Sequence, residues 1–113
     1  MPRVAVSQDS APRKVVAVAR RLGSNIRTAR LRRQIRQEDL AKQAGITAPT
    51  LRKVEEGYLG TGLGAYIATL WALGLEEEVA RIADPAHDLE GQTLEAAARG
   101  ERVRPSDSLS NDF

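Results

Sequence analysis

The 113-residue chain contains no cysteine, which excludes disulfides, thiolate metal sites and a cysteine nucleophile and fits a reducing cytoplasm. No apolar run approaches the ~18 residues that a membrane span needs. The opening MPRVAVSQDSAPRK carries no long apolar stretch of the kind that marks a secretory signal, so no membrane partner is expected. There is a single histidine, His87, beside Asp88. One imidazole without convergent partners is a surface residue and not a metal site. Gly60, Gly62 and Gly64 lack both a preceding strand and a following Lys-Ser/Thr, so they do not form a phosphate-binding loop. The adjacent carboxylates Glu76, Glu77 and Glu78 fall on one helical turn and read as capping charge. Neither catalysis, a metal nor a cofactor is expected. No strand alternation and no internal repeat is present.

The chain does have a divided charge. Residues 1–53 hold 13 Lys/Arg against 3 Asp/Glu, a net +10, whereas residues 54–113 hold 4 against 12, a net −8. Such a split suggests that the first half meets a polyanion and the second half something else. The length suits one compact domain with flexible ends, and an apolar fraction of 42% allows a small core without covalent staples.

Organisation follows from periodicity. Residues 1–12 mix Pro, Ser, Gln and Asp and read as a disordered arm. Residues 13–33 read as helical, with Leu22, Ile26 and Ala29 on one face. Gly23 weakens the middle, so the helix is expected to begin in earnest near Leu22, and Val15–Val18 is either an added turn or extended arm. Gln37–Ala44 reads as a short helix ended by Gly45. Thr47 caps the next, with Pro49 in its first turn and Gly57 as its stop. Thr61 then caps a helix whose apolar stripe is Leu63, Ile67, Leu70 and Trp71, with Gly74 as its end. Glu76–Ala83 is a fifth helix, its glutamates at the positive end of the dipole, broken by Asp84-Pro85. Glu90–Arg99 is a last short helix, and residues 102–113 read as a mobile polar tail. The domain is expected to cover 13–83, with 84–113 a C-terminal extension.

The informative stretch is QEDLAKQAGITAPTLRKVEEG, Gln37–Gly57. Two short helices meet at the tight turn Gly45-Ile46-Thr47. Ala41 is small where they cross, Ile46 plugs the turn, and Leu40, Leu51 and Val54 supply a shared core. These features hold a second helix proud of the surface, as entry into a DNA major groove requires. Its outer side would carry Thr47, Ala48, Pro49, Thr50, Arg52 and Lys53. Arg52 and Lys53 either donate to guanine O6 and N7 or contact phosphate without reading sequence. Thr50 would meet a thymine methyl or a phosphate, and Ala48 and Pro49 give apolar contact only.

Arg30, Gln37, Leu40, Ala41, Gly45, Ile46, Thr47, Leu51, Glu55 and Gly57 together resemble the Cro/repressor-type (XRE) helix-turn-helix family over roughly Leu22–Leu73. The resemblance implies an all-α, five- to six-helix lambda-repressor-like domain with a flexible N-terminal arm and C-terminal tail. It implies that Gln37 bonds a phosphate at the start of its helix, and that Arg30 and Glu55 form a buried ion pair of structural role. Two positions depart from the family pattern. Arg36 stands where Ser, Thr or Asn commonly caps, which loses the cap and offers a phosphate contact. The loop Tyr58–Gly62 lacks Lys and Arg, so Tyr58 or backbone N–H groups would have to meet phosphate there. Affinity then leans on Arg27, Arg32, Arg33 and the arm.

A second stretch, Leu63–Arg104, resembles HipB-like antitoxins, the DNA-binding partners of HipA-type kinase toxins. It implies a cytoplasmic homodimer that binds double-stranded DNA at a palindromic operator, represses its own operon and holds a kinase toxin, the acidic half facing toxin or partner subunit. In that stretch Tyr66, Trp71 and Leu75 are expected as core and dimer contacts, Trp71 above all. Phe113 would be either a terminal anchor or a frayed end. A free-standing XRE-type regulator without a toxin, and an interaction module that has lost DNA binding, are the alternatives.

Overall fold

The computed structural model describes the backbone of residues 6–102 and contains six α-helices and no strand among them. They are α1 (Arg13–Arg32), α2 (Gln37–Ala44), α3 (Ala48–Glu55), α4 (Leu63–Ala72), α5 (Glu76–Ala80) and α6 (Leu89–Arg102), with a 3-10 turn at Pro85–His87. The tail beyond Arg102, with the expectation attached to Phe113, lies outside the described residues, as do residues 1–5. The chain divides into two compact units, 1–79 and 80–113.

In the first unit, Ile26 of α1, Leu40 and Ala41 of α2, Leu51 and Val54 of α3, and Tyr66, Leu70 and Leu73 form one buried cluster. Ile26, Leu40, Leu51 and Val54 are essentially sealed from solvent, a gain of about 1.5–3 kcal/mol each. Four helix ends are closed by one device. The chain turns left-handed at Gln34, Gly45, Gly57 and Gly74 (φ 55°, 75°, 71° and 78°). The N–H after each turn residue reaches back to a carbonyl in the last helical turn, as in Ile35 N to Arg30 O, Ile46 N to Ala41 O, Tyr58 N to Lys53 O and Leu75 N to Leu70 O. Ile35, Ile46 and Leu75 then pack against the cluster, which is the apolar contact that accompanies this motif.

Helix α1 runs unbroken from Arg13, so Val15–Val18 is helical and Gly23 lies in the helix interior. Gly23 is buried because α1 crosses the end of α3 there. A Cβ on Gly23 would stand 2.5 Å from Gly57 N and 2.6 Å from the carbonyl oxygens of Val54 and Glu55. The inward face is therefore Gly23, Ile26 and Arg30, and Leu22, one residue off it, is exposed.

Helix α4 also departs from expectation. Its buried face is Tyr66, Thr69 and Leu70, whereas Leu63, Ile67 and Trp71 point outward at 71%, 36% and 59% exposure. The helix is apolar on all sides, so periodicity alone could not choose the core face. Its N-cap is Gly62 and not Thr61, and no side chain caps it. Residues 7–11, read as part of a featureless arm, hold a turn in which Ala11 N donates to Ser7 O and the Ser7 and Ser10 hydroxyls bond each other.

Helix α5 ends at Ala80 instead of Ala83, and in the second unit Ala83 is left-handed (φ 60°). Asp84 accepts from Ala86 N and caps the 3-10 turn. Asp88 accepts from Gly91 N at 3.0 Å, so α6 starts at Leu89 and runs three residues past the expected Arg99. His87 is exposed, its Nδ1 3.7 Å from Asp84 Oδ2.

Candidate nucleic-acid interface

The second helix of the motif, the one expected to carry the reading residues, is α3, and its start is set locally. Thr47 is extended (φ −83°, ψ 157°), its hydroxyl oxygen accepts from Thr50 N, and Pro49 sits in the first turn. The Thr47 hydroxyl also donates to Thr50 Oγ1 at 2.9 Å, which stiffens that turn. The buried residues Leu51, Val54 and Glu55 fix the helix's rotation. Pro49, Arg52 and Lys53 are thereby left outward, beside exposed Thr47. Thr50 is half-buried. Ala48, expected on the outer side, is also half-buried and packs against the core, so it contributes closeness of approach more than contact area.

The far end of α3 is held by charge. Arg30 Nε donates to Glu55 Oε2 at 2.6 Å and Nη2 to Oε1 at 3.1 Å, while Nη1 donates to Ile35 O at 2.9 Å. Both side chains are under 10% exposed. This is the buried pair that the family resemblance implies. Gln37 joins it, its Nε2 donating to Glu55 Oε1 at 2.9 Å. A residue expected on phosphate thus spends its amide nitrogen inside the protein, and one carboxylate ties together α1, α2 and α3. The two ends of α3 are fixed independently, by a hydroxyl cap and by this network, which is the preorganisation a reading helix requires.

Around this centre the sequence-expected residues fall unevenly. Arg27 is exposed on α1. Arg36 caps α2 without a side-chain hydrogen bond to its backbone; its Nε instead donates to Asp39 Oδ2 at 3.0 Å, and Nη1 lies 3.8 Å from Glu38 Oε1. Asp39's hydrogen bond and charge, with Glu38's charge behind them, raise the Arg36 pKa above its usual value. A phosphate would have to share Arg36 with two carboxylates. Tyr58, exposed beyond α3, takes the ammonium of Lys53 over its ring at 5.4 Å from the centroid, an exposed cation–π contact that orients Lys53. Leu59 N, a backbone donor in the loop that lacks basic side chains, is occupied by Gln8 Oε1 at 2.6 Å.

Sequence reasoning missed Arg20. Its Cα would lie 2.6 Å from a Cβ on Gly57, so this exposed arginine stands beside the end of α3. The signal was the seven-residue spacing Arg13, Arg20, Arg27, two helical turns apart along α1.

Residues 26–61 match the family model described as helix-turn-helix. That span runs from Ile26 through both motif helices to the loop after α3, so this segment is similar to a helix-turn-helix, on an all-α lambda-repressor-like fold. No curated protein matches the chain. Among the described residues no helix is long and apolar enough to cross a membrane, and no group of three or more His, Cys, Asp or Glu is placed to hold a metal ion.

Proposed function

We propose that this protein is a sequence-specific transcriptional repressor that sits as a homodimer on a palindromic operator and blocks polymerase by occlusion. The observation that carries this reading is the double anchoring of α3, which leaves Pro49, Arg52 and Lys53 outward on a fixed helix. Arg52 and Lys53 read base edges or phosphates in the major groove, and Arg20, Arg27 and Arg36 neutralise flanking phosphates. Within this reading the protein is a HipB-like antitoxin that represses its own operon in the cytoplasm and binds a HipA-type kinase toxin. That part is supported by the Leu63–Arg104 resemblance and by the acidic character of the second half.

The deciding experiment selects bound sequences from a random duplex pool and measures their affinity by fluorescence anisotropy, with Arg52→Ala/Lys53→Ala as the comparison. Enrichment of an inverted repeat by the wild type, lost in the double variant, supports the repressor. No salt-dependent DNA binding by the wild type would instead favour an interaction module, consistent with the occupied Leu59 N–H. Co-purification of a stoichiometric kinase on expression with the neighbouring genes supports the antitoxin; recovery without one leaves a free-standing regulator.

A further inference from the structure

We propose that the outward face of α4 is the surface on which two copies of this chain pair, with Trp71 of each copy seated over Gly64 of the other. The inference rests on the dimeric reading of the function and assigns it a surface. Helix α4, Leu63-Gly-Ala-Tyr-Ile-Ala-Thr-Leu-Trp-Ala72, contains no charged residue, and every other α-helix among the described residues contains at least two. A second copy placed against α1 would set arginines against arginines, and one placed against α5 would set glutamates against glutamates. Among the described α-helices α4 alone carries no charge, so its outward face meets its own copy without burying charge or opposing like charges, whereas the exposed Val15, Val18 and Leu22 of α1 and Leu89 and Leu94 of α6 lie on helices that also carry charged side chains.

The shape of the face agrees. Leu63, Ile67 and Trp71 follow each other at four-residue steps, and all three are exposed. On the same side, a Cβ on Gly64 would meet nothing within 4 Å, so Gly64 is a notch open to the outside, with small Ala68 one turn on. A two-fold axis passing between Ile67 and Ala68 pairs position 71 with position 64, placing the largest side chain of each copy at the notch of the other. Such a face is complementary to itself, as a two-fold interface requires. The stripe exposes on the order of 300 Å² of apolar surface per copy, less than the ~800 Å² per partner of a standard interface. It therefore forms the centre of a weak pairing, which a palindromic duplex would tighten by holding both copies.

The test uses the full chain in analytical ultracentrifugation over about 1–100 µM, with fluorescence of Trp71, the only tryptophan, as a local reporter. Wild type should pass from monomer to dimer as Trp71 emission shifts to the blue. Gly64→Leu fills the notch and Ile67→Glu introduces a like-charged pair. Each should weaken pairing by at least about tenfold while leaving the far-UV circular dichroism unchanged. Because Gly64 faces open space, Gly64→Leu should melt no lower than wild type, which separates loss of pairing from loss of fold. A chain that stays monomeric throughout, or a dimer indifferent to both substitutions, overturns the proposal. So does a monomer whose Trp71 is shielded from acrylamide at every concentration, which would mean that the chain covers its own face. Half-site DNA binding by Ile67→Glu keeps the DNA-reading function separate: its retention with pairing lost leaves that function standing, and wild-type pairing without any DNA binding leaves the surface standing.

Discussion

Gly23 and Gly57 meet backbone to backbone where α1 crosses the end of α3. A Cβ on Gly23 would lie 2.5 Å from Gly57 N, and a Cβ on Gly57 would strike the carbonyl of Ala19. Gly57 must also turn left-handed, so it has two reasons to be glycine, whereas Gly23 has only the close approach. The crossing sets how far α3 stands from α1, and hence how Arg20 is placed against the end of α3.

Gly23→Ala should therefore destabilise the fold. A helix interior ordinarily gains up to about 1 kcal/mol from this change. Here the added methyl meets carbonyl oxygens and an amide nitrogen that cannot move without shifting α3, and overpacking of this kind costs about 1–3 kcal/mol. Gly64→Ala, with open space around it, should show the opposite sign, a gain of about 0.5–1 kcal/mol. Urea unfolding of both variants checks the pair. Equal and positive effects would mean that the α1–α3 crossing is looser than its geometry.

The same crossing shows what the sequence could and could not reveal. The turn at Gly45-Ile46-Thr47, the cap at Thr47 and the core positions Leu40, Leu51 and Val54 were legible, because capping chemistry and helical period act within a few residues. Gly23 read as a weak point in a helix, since its reason is a backbone 34 residues away. Gln34 gave no sign that α1 ends there in a left-handed turn, because glycine usually marks one. On α4 the period could not separate Tyr66, Thr69 and Leu70 from Leu63, Ile67 and Trp71, as nearly every residue is apolar or small. In the site, the outward set Pro49, Arg52 and Lys53 was legible from the motif. The internal bond of Gln37 to Glu55 was not, because an amide's partner is chosen only when three helices come together.

That three-helix network predicts a large asymmetry between breaking it and replacing it. Glu55→Ala leaves the Arg30 guanidinium buried with one carbonyl partner, and should cost about 3–5 kcal/mol. Arg30→Met/Glu55→Leu removes both charges and should recover most of that loss, although it orphans the Gln37 amide. Gln37→Ala alone should cost about 1 kcal/mol. Denaturation midpoints of the three variants, taken at equal slope, decide the order. A double variant as unstable as Glu55→Ala would show that shape and not charge balance makes the pair necessary.

Tyr66 predicts an alkaline limit to stability. Its hydroxyl donates to Tyr58 O at 2.8 Å, and burial pushes its pKa above the ordinary 10.0. The folded protein thus holds this proton more tightly than the unfolded chain. The resulting stabilisation is fully present below pH 10.0 and is lost as pH rises through the higher folded value. Tyr66→Phe should be less stable than wild type at neutral pH by about 1 kcal/mol, with Tyr58 O left without this donor. The gap between the two should shrink above pH 10.0. A gap that stays constant to the alkaline end would place the Tyr66 proton in an ordinary, solvated setting.

The arginines of the interface divide by what they would do to salt dependence. Each phosphate neutralised contributes about 0.9 to the slope of log affinity against log salt. Arg20→Ala, on α1 beside the end of α3, and Arg27→Ala, two turns further along α1, should each lower that slope by close to this amount and weaken all duplexes alike. Arg52→Ala, on the outward side of α3, should leave more of the slope but relax the preference at one base pair, worth about 1–3 kcal/mol of discrimination. Lys53→Ala falls between, because Tyr58 already holds the ammonium. Anisotropy titrations at four salt concentrations, on the selected operator and on a scrambled duplex, separate the two behaviours. If Arg52→Ala lowers the slope and leaves the operator preference intact, Arg52 is a phosphate contact, and sequence reading must fall to Pro49, Thr50 and the deformability of the duplex.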